Sequence, residues 1–253
     1  GLTARTSDGA RKAELLKESG KVAAAMESYD QAVALFREAM SLTARGHWLR
    51  RELTDEIIEI YRKREALAEL IKIFEGRWKQ RGAFEHQVLG RLYDQTGDED
   101  KALAAYRAAL KRAPHEVQIW LRVIALLDRS GRSSEAVKAY RRLTMVAPGE
   151  PRHQLQLAKR LYAQGMQKEA LALLDRCGGR FPSDASVQSA LSDLFARWGA
   201  QKRALARVQA LVRLEPREPN HLVNLGEQYY LRGEKKRAMS TWGRLLKVMP
   251  SRH

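Results

Sequence analysis

The sequence predicts an all-α protein, a solenoid of antiparallel helical hairpins. Three residue types, glycine, alanine and proline, recur at an unbroken spacing of 34 residues over most of the chain. Glycine and proline are otherwise few, at 17 and 7 of 253 residues, which favours helix. A fixed period of this length is typical of repeat proteins in which each unit is one supersecondary element.

Each recurring residue has a structural reason. Glycine in the left-handed conformation ends the first helix, alanine lets the second helix approach the first closely, and proline ends the second helix. The recurring residues are Gly97, Gly131, Gly165, Gly199 and Gly233; Ala102, Ala136, Ala170, Ala204 and Ala238; Pro114, Pro148, Pro182, Pro216 and Pro250. Each unit is therefore predicted to be helix, turn, helix.

Apolar residues fill the remaining positions at helical spacing. We predict a core that includes Leu89, Tyr93, Tyr106, Trp120, Leu127 and Tyr140. Other units have Leu174 and Val208 at such aromatic positions, so packing explains the aromatic residues better than a cofactor-binding box.

This pattern resembles the tetratricopeptide repeat, with a small residue at position 8, aromatic residues at 11 and 24, glycine at 15, alanine at 20 and proline at 32. In residues 83–116 these positions hold Gly90, Tyr93, Tyr106, Gly97, Ala102 and Pro114. The resemblance implies a right-handed superhelical α-solenoid with five tandem repeats: 83–116, 117–150, 151–184, 185–218 and 219–252.

Residues 1–82 follow the pattern less closely and are predicted to form irregular or degenerate helical hairpins. Gly20, Ala25, Tyr29 and Ala32 repeat the offsets of Gly97, Ala102, Tyr106 and Ala109, which predicts an inner turn at Gly20. At a fixed offset of 34, Ala68 is in phase, but Lys63, Lys72 and Gln80 replace the glycine, aromatic and proline. We interpret this region as a cap; a dimerisation surface that forms a homodimer is the alternative.

Neither an enzyme nor a bound cofactor or metal is predicted. The six histidines are scattered, no glycine-rich phosphate loop occurs, and the single cysteine, Cys177, is at a core position of its repeat. No run of about 18 apolar residues could span a bilayer. The first residue is glycine, which indicates a processed protein or part of a longer one. The compartment stays open: a cytoplasmic location is favoured, with a periplasmic or exported location after signal removal as the alternative.

The resemblance implies that partners bind to the first helices, at positions 2, 5, 9, 12 and 13. We therefore predict the following partner-binding residues in a groove, together with the adjacent Arg122: Arg91, Gln95, Gln118, Arg122, Arg152, Lys159, Tyr162, Arg197, Asn220 and Tyr230. Arg91, Arg122, Arg152 and Lys159 would form a basic stripe. The residues that family members use to hold a chaperone's terminal carboxylate are not matched, although an acidic segment stays plausible.

The sequence thus predicts a non-catalytic scaffold or adaptor that binds a peptide, helix or acidic segment of a partner protein. The net charge of +16, from 46 basic and 30 acidic residues, supports an alternative: a polyanion binder for RNA or an acidic polysaccharide. Ordinary surface charge would explain the basic stripe equally well.

Overall fold

Helical hairpins account for the part of the chain that the computed structural model describes, residues 2–44, 47–76 and 82–248. These residues form fourteen α-helices and no strand, which confirms the predicted all-α class. The chain divides into two compact units, Gly1–Ser130 and Gly131–His253. Within each unit, consecutive helices pack against each other.

The described residues of the first unit form α1 (Leu2–Ala25), α2 (Tyr29–Ser41), α3 (Trp48–Lys63), α4 (Leu67–Gly76), α5 (Ala83–Gln95), α6 (Glu99–Arg112) and α7 (Val117–Arg129). Those of the second unit form α8 (Ser133–Val146), α9 (Pro151–Ala163), α10 (Gln167–Arg180), α11 (Ala185–Arg197), α12 (Gln201–Leu214), α13 (Pro219–Leu231) and α14 (Lys235–Val248). From α5 onward, first helices of 13 residues alternate with second helices of 14 residues.

The inner turn of each repeat depends on a left-handed residue two positions after the first helix ends. The five recurring glycines have φ values between 69° and 82°. At the first of them, the Gly97 amide donates to the Asp94 carbonyl at 3.3 Å, and the Asp98 amide donates to the Tyr93 carbonyl at 2.9 Å. These bonds satisfy carbonyls at the helix end, as predicted for a glycine that ends a helix.

The alanine at position 20 allows the close packing of two helices. Ala102, Ala136, Ala170, Ala204 and Ala238 are all 0% exposed. The predicted core residues Leu89, Tyr93, Tyr106, Leu127 and Tyr140 are also buried. Trp120 differs, because it is only half-buried and its indole Nε1 donates to the Pro114 carbonyl at 2.8 Å in the outer turn.

A glycine at position 8 makes room for the aromatic ring at position 24. A Cβ atom placed on Gly90 would lie 2.6 Å from the Tyr106 ring, and one on Gly226 would lie 2.0 Å from the Trp242 indole. Such distances are too short for any side chain, so the glycine backbone packs directly against the ring.

The sizes of the two positions are complementary within the second unit. Ala158 and Ser192 replace the glycine at position 8 in repeats whose position 24 holds the smaller Leu174 and Val208. All four side chains are buried. The departures from the repeat pattern at position 8 are therefore matched by smaller side chains on the second helix.

The predicted register of the first hairpin is wrong. Gly20 lies inside α1 rather than in a turn, and the left-handed turn residue is Glu27, with φ of 59°. A Cβ atom on Gly20 would lie 2.4 Å from the Phe36 ring of α2. Gly20 therefore occupies position 8 of its hairpin, and Phe36 occupies position 24.

The register predicted for the next hairpin is also shifted. The turn residue is Glu65, with φ of 55°, and not Lys63. Leu70 and Phe74 then take the positions expected for Ala68 and Lys72. Because Glu27 and Glu65 are 38 residues apart and Glu65 and Gly97 are 32 apart, a fixed offset of 34 cannot align these hairpins.

Several predictions about the ends of the chain stay open. Gln80 and Pro250 lie outside the described residues, and the domain boundary at residue 82 stays a prediction. Apolar side chains of Leu15, Val22 and Met26 on α1 are more than half exposed, and the role of residues 1–82 as a cap or a dimerisation surface also stays a prediction. None of the described helices is long and apolar enough to cross a membrane.

Substitutions in two inner turns are expected to have opposite effects. Gly97→Ala should lower the free energy of unfolding by about 1 kcal/mol, since nothing but backbone strain opposes a Cβ atom there. Glu65→Gly should raise it by up to about 1 kcal/mol because it removes the same strain. Urea unfolding followed by circular dichroism measures both changes. Equal signs for the two variants would contradict the assignment of Glu65 to the turn position.

The match between positions 8 and 24 predicts a compensating pair of substitutions. Gly90→Ser should destabilise the protein by about 1–3 kcal/mol, because the new Cβ atom would overlap the Tyr106 ring. In a Tyr106→Val background, which reproduces the pairing of Ser192 with Val208, the same serine should cost far less. Urea unfolding of the four proteins gives the coupling energy. Gly149→Ser is the control, since a Cβ atom there meets no atom within 4 Å.

Candidate functional site

Ion pairs join neighbouring first helices in the first unit. The Lys21 ammonium on α1 lies 3.0 Å from Glu52 Oε1 on α3, and the Arg91 guanidinium on α5 donates to Asp55 Oδ1 on α3. The hydrogen bond between Lys21 and Glu52 raises the pKa of the lysine and lowers the pKa of the carboxyl group. Both groups are therefore charged at neutral pH.

A third ion pair continues this series to α7. Arg129 donates through Nη2 to Asp94 Oδ1 at 2.5 Å and through Nε to Glu99 Oε1 at 2.7 Å. Cations and carboxylates on the first-helix surface of this unit therefore bind each other. Such exposed pairs contribute little stability, about 0–1 kcal/mol each, but they reduce the charge available to a ligand.

The predicted site residues of the first unit differ in their surroundings. Gln95, Gln118 and Arg122 are exposed. Arg122 has no carboxylate at ion-pair distance among the described residues. Arg91 is not a free cation of the predicted basic stripe, because Asp55 binds it.

The second unit contains the other two cations of the predicted stripe. Arg152 is 75% exposed, and its Nε lies 3.1 Å from Glu150 Oε2, so it is also partly neutralised. Lys159 on α9 is exposed and has no carboxylate at ion-pair distance among the described residues. The same holds for Arg197 at the end of α11. Lys159 and Arg197 are therefore the available predicted cations of this unit.

An aromatic stack lies between neighbouring hairpins of the second unit. The rings of Tyr162 on α9 and Trp198, which directly follows α11, are nearly parallel at 7°, with centroids 4.1 Å apart. Both side chains are half-buried. The sequence analysis missed Trp198 because it occupies position 14, one residue beyond the positions implied by the resemblance. Its position directly after Arg197, a predicted site residue, was the available signal.

Small side chains line the first helix between these aromatic residues and α13. Ser189, Ala190 and Ala196 on α11 are half-buried. On α13, Asn220 is exposed and its Nδ2 donates to Glu218 Oε1 at 3.0 Å. Tyr230 is 55% exposed, with its ring centroid 6.0 Å from that of Trp242.

The charge at position 9 changes sign across the second unit. Lys159, Asp193 and Glu227 occupy this position on α9, α11 and α13, and all three are exposed. The first-helix surface is therefore positive near α9 and negative near α13. It combines available charges of both signs with an aromatic stack.

Side chains that could carry catalysis are not grouped here. Cys177 is 0% exposed, and burial raises the pKa of its thiol to about 11. Burial also lowers the pKa of His153, followed in effect by the charge of Arg152. Within the described ranges, no three His, Cys, Asp or Glu side chains are placed to hold a metal ion.

Comparisons with known proteins place this fold in a class. A family model of the tetratricopeptide repeat matches residues 88–151. The solved C-terminal part of a tetratricopeptide repeat-containing protein from Cytophaga hutchinsonii is 14% identical, with 96% of each chain covered and a TM-score of 0.56. The chain is a tetratricopeptide repeat protein.

Other solved structures are similar at lower TM-scores. A tetratricopeptide repeat protein from Parabacteroides merdae is 18% identical, covering 96% of this chain and 95% of its own, with a TM-score of 0.44. YrrB, described as having an unusual peptide-binding site, is 17% identical, covering 74% and 93%, with a TM-score of 0.45. No curated protein sequence matches this chain. Tetratricopeptide repeat proteins mediate protein and peptide binding and are generally non-catalytic.

The buried thiol predicts an unreactive cysteine. With a pKa of about 11, about one Cys177 thiol in a thousand is ionised at pH 8, and the side chain has no solvent exposure. A disulfide reagent that releases a coloured thiol should therefore react at pH 8 with urea-unfolded protein and far more slowly with native protein. Rapid reaction of native protein would contradict this placement of Cys177.

Proposed function

We propose that the chain is a non-catalytic adaptor that binds an extended segment of a partner protein on the first-helix surface of residues 131–253. The observation that carries this proposal is the stack of Tyr162 on Trp198, with Lys159 and Arg197 beside it. Half-buried aromatic side chains next to cations without carboxylate partners are typical of binding surfaces.

The neighbours of the stack determine which ligand chemistry it favours. Lys159 precedes Tyr162 by three residues on α9 and so lies on the same helix face. Arg197 directly precedes Trp198. A ligand carboxylate can bind these cations while an adjacent apolar or aromatic side chain packs against the rings. The segment bound there therefore contains an acidic residue next to an apolar one.

The change of sign at position 9 gives the ligand a direction. Asp193 and Glu227 are exposed on α11 and α13, on the side of the surface away from Lys159. A segment with its acidic residue near α9 and a basic or amide side chain near α13 satisfies both charges. A uniformly acidic segment would be repelled by Asp193 and Glu227.

Selection of peptides from a random display library would test this proposal. We expect the native chain to enrich peptides in which an acidic residue adjoins an apolar one and a basic residue follows. Lys159→Glu with Arg197→Glu should weaken binding of these peptides by at least about tenfold, because two attractive charges become repulsive. Tyr162→Ala should weaken binding through loss of the stacked surface.

The control is a matched pair of cations on the second helices, Arg176→Glu with Lys202→Glu, which should leave peptide binding unchanged. Fluorescence anisotropy of a labelled selected peptide measures all four proteins. Unchanged affinity in the Lys159 and Arg197 variant would place the peptide site elsewhere and overturn the proposal.

A further inference from the structure

The excess positive charge of the chain is concentrated in the second unit. Residues 131–253 contain 23 Lys and Arg against 10 Asp and Glu, a net charge of +13, whereas residues 1–130 have a net charge of +3. The cations on the first helices account for only part of this excess. The remainder lies mainly on the second helices α8, α10, α12 and α14.

Cations on these second helices recur at the repeat spacing. Position 18 holds Lys168, Lys202 and Lys236, and position 26 holds Arg142, Arg176 and Arg244. All six side chains are exposed, and none is at ion-pair distance from a carboxylate within the described ranges. We call these six residues the cation rows.

Nearby carboxylates are bound to other cations. Arg141 on α8 lies 2.8 Å from Glu169 on α10, and Arg203 on α12 lies 2.9 Å from Asp175 on α10. These pairs also show that neighbouring second helices are in contact. Since α12 and α14 contain no acidic residue at all, nothing on them neutralises the cation rows.

The lysines at position 18 are placed against the helix dipole. Each is the second residue of its helix, where the exposed amide groups favour an anion over a cation. Neither α12 nor α14 has an acidic residue in its first turn. Helix stability therefore gives no reason for a lysine at these positions, whereas an anionic ligand does.

The geometry of the rows suits a chain of phosphates. Positions 18 and 26 are separated by about 12 Å along the helix axis, and packed helices lie about 8–10 Å apart. The exposed large apolar side chains on the described second helices of this unit are Met145 and Met239, neither of them aromatic. The face can therefore bind phosphate oxygens but has no ring on which a base could stack.

We infer that the cation rows form a second binding surface, for the phosphate backbone of a nucleic-acid strand, read without regard to its sequence. Half of the six cations are arginines, whose planar guanidinium groups bind phosphate in bidentate fashion. An anionic membrane is less suitable, because interfacial binding faces combine cations with a broad apolar face that inserts between lipids. This inference does not depend on the peptide site of the first helices.

Binding of a fluorescein-labelled oligouridylate at several salt concentrations tests the inference. If all six cations contact phosphates, affinity should fall about 300-fold between 50 and 200 mM salt. Lys168→Gln with Lys202→Gln and Lys236→Gln should reduce this fall to about 20-fold, since only three contacts remain. Replacing uridines by a mixed sequence should change little. Circular dichroism verifies that the variant is folded.

The control is Lys159→Gln with Arg197→Gln, which removes two cations from the first-helix surface of the same unit. This variant should bind the oligonucleotide with the native salt dependence while losing the selected peptide. An equal loss of oligonucleotide affinity in this variant would overturn the inference. So would binding to phosphatidylserine vesicles or heparin without measurable binding to the oligonucleotide.

Discussion

The close approach of two helices within each hairpin is the constraint on which the other features depend. A fully buried alanine at position 20 lets the helices meet, and in some hairpins a ring at position 24 packs directly on a glycine at position 8. This contact fixes how the first helix is rotated. Because positions 8 and 11 must face the second helix, positions such as 9 and 13 are left for solvent or a ligand.

Local backbone requirements explain which parts of the fold could be predicted. Glycine at a left-handed turn leaves a mark that a fixed offset detects, and from residue 83 onward every described helix agrees with the period. The first two hairpins have the same turn geometry but place Glu27 and Glu65 there. A glutamate can adopt this conformation at some cost in energy, so the residue type no longer reveals the turn. Spacings of 38 and 32 residues then concealed the register.

The candidate site was only partly predictable, for a different physical reason. Helical spacing was sufficient to place Lys159 and Arg197 on an exposed face. It could not tell that Asp55 binds Arg91, since the two residues lie on different hairpins and 36 positions apart. The stacking of Trp198 on Tyr162 likewise depends on how two hairpins pack. Contacts between repeats are set by inter-hairpin geometry, which periodicity within one repeat does not contain.

The use of carboxylates separates surfaces that are complete within the chain from those available to a partner. On the first helices of the first unit, Lys21, Arg91 and Arg129 each bind an acidic side chain. On the second helices of the second unit, each acidic residue of α10 binds an arginine of a neighbouring helix, and the cation rows have no acidic partner. Three of these cations also oppose a helix dipole. Charge that neither pairs within the fold nor stabilises a helix is the charge most readily explained by binding.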